Sequence, residues 1–200
     1  MNDMQWNRKA SDGQIYNYGN ALKEDFGLTP VFLHYNTGLP ISENGRLFDS
    51  QIEALVEAWP VAIDEILIVA HSMGGLVTRK AHHHAQSKNR KWRKLLRKVV
   101  FLGTPHHGAP LERGGHWVNL VLGSAPMAAP FAKIGKIRSI GITDLRHGLA
   151  TSDFPDKLPL PADVESLAIA AQTGTGRFDL HRDLIGDGLV PIDSALGRHK

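Results

Sequence analysis

One serine in this chain has the setting of a nucleophile. Ser72 lies in Ala70-His71-Ser72-Met73-Gly74-Gly75, directly behind the apolar run Ile66-Leu67-Ile68-Val69. Such a run predicts a strand buried on both faces, and the pattern after Gly75 predicts a helix. In a strained strand-to-helix turn the serine side chain projects outward. Ala70, Gly74 and Gly75 suit positions where neighbouring backbone leaves no room for bulk. The amides just beyond Ser72, that of Met73 first, would point at negative charge developing there and favour a tetrahedral oxyanion. The competing reading is an ordinary serine N-cap with glycines for packing.

Serine chemistry needs a proton acceptor, normally a histidine oriented by a carboxylate. Among the 11 histidines, His82, His83 and His84 are consecutive. On a helix they point in different directions, so they make no single three-ligand metal site. Neither a metal nor an organic cofactor is expected. Asp187 stands between Gly186 and Gly188. Taken alone, this setting reads as a tight turn.

Three blocks carry a family resemblance: His71-Ser72-Met73-Gly74-Gly75, Leu102-Gly103-Thr104-Pro105-His106-His107-Gly108 and Gly186-Asp187-Gly188-Leu189-Val190-Pro191. In this order they resemble an α/β-hydrolase of the bacterial lipase and esterase branch, related to inositol-deacylating enzymes. The general pattern is Gly-x-Ser-x-Gly, and Ala70 here replaces its first glycine. The resemblance implies a mostly parallel sheet with helices on both faces and a chain order of serine, acid, histidine. It assigns the acid to Asp187, with Asp183 and Asp193 as weaker alternatives. His199 is the one histidine after Asp187, and so the base by order, although a chain terminus mounts a rigid base poorly. His71 backs the turn, while His106 and His107 shape the pocket or make polar structural contacts.

Two hundred residues, 42% hydrophobic and 22% charged, predict one soluble globular domain over residues 1–200. Cysteine is absent, so no disulfide or cysteine-ligated zinc is expected. No run of about 18 apolar residues predicts a transmembrane span. Met1 to Ser11 lacks a signal-peptide pattern, which favours the cytoplasm. The net charge is +3, with seven basic residues between Lys88 and Lys98. Trp92, Leu95 and Leu96 intersperse them, and no stacking platform accompanies them. A solvated helix face or polar connection is expected there rather than a nucleic-acid site.

The elements that must position Ser72 alternate in an α/β rhythm. Ser11 to Gly27 reads as an amphipathic helix, Val31 to Leu33 as a short strand, and Ser42 to Trp59 as a helix ended by Pro60. A helix follows Ser72 to about His84, and strands are expected at Val99–Leu102 and Val164–Ala171. Residues 109–163 break the rhythm and read as a cap or lid insertion. There, Trp117, Leu120, Val121, Met127 and Phe131 suit the lining of an apolar acyl pocket.

In the resembling fold a central strand and a His-Gly loop precede the first helix seen here. Without them the sheet would lack a middle member, between the strand at Val31 and that before Ser72. Self-association or a further chain segment is then expected to complete it. The expected activity is hydrolysis of small or lipid esters. The alternatives are a catalytically silent segment that needs a partner chain, and an acyltransferase using the same serine.

Overall fold

The computed structural model describes residues 6–9, 12–107, 160–170 and 192–197. Asp187, His199, the alternative acid Asp183, the cap up to residue 159 with Trp117, Leu120, Val121, Met127 and Phe131, and the block 186–191 lie outside these residues. The chain divides into two compact units, Met1–Thr37 and Gly38–Lys200.

In the first unit, the pattern that predicts a helix from Ser11 resolves into two kinds of structure. Asn7–Lys9 (β1) and Ile15–Asn17 (β2) pair antiparallel, with Lys9 opposite Ile15 and Arg8 opposite Tyr16. The helix α1, Tyr18–Phe26, starts only after them. Asn17 sets the boundary, because its side-chain oxygen accepts the Asn20 N–H at 3.1 Å, satisfying one of the amides a helix start leaves open. Gly27 ends α1 at φ 69°, a left-handed conformation cheap only for glycine, and its N–H donates to the Lys23 carbonyl. Val31 to Leu33 form no strand among the described residues. A strand needs a ladder, and no neighbour supplies one here. Phe32 approaches Gly19 of α1 instead.

The second unit begins with α2, Ile41–Ala58, close to the helix expected there. Trp59 is extended, as a residue before proline prefers, and so ends it. Three parallel strands follow in the order β3-β4-β5: Ile66–His71, Leu96–Leu102 and Glu165–Ile169. Ile68 lies beside Val99 and His71 beside Leu102 across the first ladder, and Phe101 beside Ala168 across the second. Among the described residues β3 has no ladder on its outer side.

Between β3 and β4 run α3, Met73–Ser87, and a short helix α4, Lys91–Leu95; a last turn, α5, spans Ile192–Ala195. Helices and parallel strands thus enclose one apolar core of Ile52, Ala81, Ala85, Trp92, Leu96, Val99, Phe101 and Val164. Strand β4 starts three residues before the expected Val99, directly from α4, because Leu96 is already buried in that core. No helix among the described residues is long and apolar enough to cross a membrane.

The basic connection has a structural use. Asp49 of α2 is fully buried and accepts the Trp92 indole N–H at 3.0 Å and the Arg90 Nε–H at 3.4 Å. Glu53, one turn on, accepts the backbone N–H groups of Lys91 and Trp92, both at 3.1 Å, and so caps α4. Lys88 pairs with Asp49, Lys91 with Glu57, Arg93 with Asp163 and Lys98 with Glu165. These acidic partners turn most of the basic run into a brace between α2, α4 and β5.

Candidate active site

Strand β3 delivers Ser72 to the carboxyl end of the sheet, and α3 begins at the next residue. At that junction Ser72 has φ 52° and ψ −124°. An L-residue other than glycine rarely adopts this conformation, which costs on the order of 1–3 kcal/mol and persists only where the surroundings impose it. Here the surroundings are hydrogen bonds on either side. The Ser72 N–H donates to the Leu102 carbonyl at 2.9 Å, and the Ser72 carbonyl accepts the Gly75 N–H at 3.1 Å. An ordinary N-cap serine is extended and bonds the helix amides with its hydroxyl. Ser72 is not extended, and its side chain makes no capping bond.

Two neighbours complete the turn. Met73 is the first residue of α3, so its N–H has no intrahelical acceptor by position. Gly75 lies against the next strand: a Cβ there would come 2.6 Å from Thr104 Cγ2 and 2.9 Å from Phe101 Cδ1, and closer still to Thr104 Oγ1. No side chain fits, which is the physical content of the small-residue pattern after the serine. His71 ends β3 and is exposed.

The loop after β4 leaves the same end of the sheet. His106 is 2% exposed, and its Nδ1 lies 3.0 Å from an amine of the Arg79 guanidinium on α3. Its ring stands edge-on to Phe101, with centroids 4.9 Å apart. The His106 N–H donates to the Ser194 carbonyl at 3.1 Å, and the His107 N–H to the Ser194 hydroxyl at 3.1 Å. These bonds are polar structural contacts that hold His106 in place. His107 is half-buried, and the alternative acid Asp193 lies in the first turn of α5.

Burial pushes the Arg79 guanidinium down to about 10. Sequence reasoning missed this residue, since an arginine on an amphipathic helix ordinarily reads as solvated. The three consecutive histidines diverge as helical geometry requires. His82 faces Asp163 at 3.4 Å and stands edge-on to Trp92, whereas His83 and His84 have edge-on contact with each other. No group of three metal-ligating side chains occurs among the described residues.

A parallel sheet flanked by helices, with a strained serine between strand and helix at its carboxyl end, defines an α/β-hydrolase fold. Solved structures that share it include two forms of one bacterial lipase. In the crystal structure of Bacillus licheniformis lipase BlEst2 in mature form the identity is 19% and the TM-score 0.52, covering 82% of this chain and 64% of that one. In the propeptide form of the same lipase the identity is 20% and the TM-score 0.53, covering 82% of this chain and 35% of that one. The chain thus spans less than two thirds of the length of either. No curated protein matches. By sequence the chain belongs to a family described as a domain of unknown function, DUF7379, which matches residues 20–142.

Proposed function

We propose that this chain is a serine-dependent carboxylic ester hydrolase. The conformation of Ser72, strained and without the bonds of a helix cap, is the observation that supports this most directly. In this reading Ser72 Oγ attacks the ester carbonyl while a histidine oriented by Asp187 takes its proton; chain order gives that role to His199. The Met73 N–H stabilises the oxyanion. The alcohol leaves with the proton, and water then attacks the acyl-serine and releases the acid.

An apolar acyl group fits the expected cap residues Trp117, Leu120, Val121, Met127 and Phe131, with His71, His106 and His107 shaping the mouth. The likeness to a lipase points the same way. Hydrolysis of nitrophenyl esters of graded chain length by the wild type, Ser72→Ala and His199→Ala tests the reading. Turnover should rise with acyl length to an optimum and vanish in Ser72→Ala. Turnover unchanged in Ser72→Ala would refute it, and turnover unchanged in His199→Ala would move the base elsewhere. Adding an acceptor alcohol separates acyl transfer from hydrolysis by the product formed.

A further inference from the structure

We propose that Arg79 is a positioning residue of the Ser72 site that acts through His106, an inference that rests on the esterase reading. The two are 27 residues apart in the chain, both buried, and joined at 3.0 Å. A guanidinium has donors only, so His106 Nδ1 must accept and the proton of the neutral ring sits on Nε2. An imidazolium would lose that acceptor and face a second cation. Arg79 therefore fixes one tautomer of His106 and removes its Nδ1 from any role as a proton acceptor in catalysis.

The consequence for the site runs through the backbone. His106 is held by Arg79 of α3 at its ring, by an edge-on contact with Phe101 of β4 and by Ser194 of α5 at its N–H. The same loop starts at Leu102, whose carbonyl receives the Ser72 N–H, and continues into His107, bound to the Ser194 hydroxyl. Three elements thus fix one short loop beside the serine turn. Misplacing a site wall by about 1 Å costs roughly 100-fold in rate. Substituting Arg79 or His106 should therefore be felt at Ser72 although neither touches the reacting atoms.

Two measurements on the full chain test this. Long-range proton–nitrogen NMR at neutral pH, with His106 assigned by its loss in His106→Asn, should show the Nε2–H tautomer; an Nδ1–H tautomer or an imidazolium overturns the lock. In ester hydrolysis, Arg79→Met and His106→Leu should lower kcat about 10- to 100-fold with a smaller change in KM. His106→Asn, whose side-chain oxygen can accept from Arg79, should recover most of the loss seen in His106→Leu. If Arg79→Met fails to fold by circular dichroism, the two His106 variants carry the test. Undiminished kcat in folded Arg79→Met, or equal losses in His106→Asn and His106→Leu, overturns the positioning role. A folded wild type that neither reacts with a fluorophosphonate nor turns over ester overturns the esterase reading itself, while the NMR result judges the lock separately.

Discussion

The backbone N–H of Ser72 donates to the carbonyl of Leu102 at 2.9 Å, joining the serine turn to the end of the neighbouring strand. This bond continues the β3–β4 ladder past its last pair, His71 with Leu102, into a residue at φ 52°. The ladder and the start of α3 together hold the strain in place.

That strain should be measurable. Ser72→Gly relieves it and is expected to raise stability by about 1 kcal/mol in urea unfolding while abolishing ester hydrolysis. Ser72→Ala keeps a Cβ at the same φ and is expected to lose activity without that gain. Equal stability of the two variants would contradict the strained turn.

Gly75 packs against Thr104 and Phe101 with no space for a methyl group. Gly75→Ala is expected to destabilise by about 1–3 kcal/mol through overpacking. Because the displaced group belongs to the loop next to Ser72, kcat for ester hydrolysis should fall as well. A urea midpoint and kcat both equal to wild type would show that α3 and β4 are not in close contact there.

Asp49 is fully buried and holds the Trp92 indole and the Arg90 guanidinium. Asp49→Ala leaves both donors without this acceptor and is expected to cost about 3–5 kcal/mol. Asp49→Asn keeps an oxygen for the indole and should cost less. Urea unfolding followed by tryptophan fluorescence distinguishes the two.

Burial holds the His82 imidazole below its ordinary 6.5, opposed by Asp163 and assisted by Arg93 and His83. His83 and His84 are lowered too, by burial first and then by Lys80. As pH falls through about 6.5 the unfolded chain binds protons before the folded one does. Stability present above that pH is therefore lost as pH falls toward the depressed folded values. Urea midpoints should drop over that interval, and His82→Gln should make the drop shallower. A midpoint that rises on acidification through this window would contradict the assignment.

What the sequence made legible was local. The serine turn announces itself because an apolar run, small residues and a hydroxyl must sit in consecutive positions to build it. Helix α2 is equally plain from its apolar face and Pro60. The β2–α1 boundary was not, because Ile15 satisfies a helical spacing as well as a strand pairing, and the cap by Asn17 decides between them. The brace of Asp49 on Trp92 and the contact of Arg79 with His106 span 43 and 27 residues, so no spacing rule reaches them. Their partners are charged residues on helix faces, which by pattern alone read as solvated.

The central claim is that Ser72 is an activated nucleophile. Its most direct test is treatment of the folded protein with a fluorophosphonate, followed by peptide mass spectrometry, with Ser72→Ala as the control. A single adduct on the peptide containing Ser72, absent from Ser72→Ala and slowed by excess nitrophenyl ester present during labelling, is the predicted result. Folded protein that acquires no adduct at Ser72, or an adduct equally strong in Ser72→Ala, would contradict it.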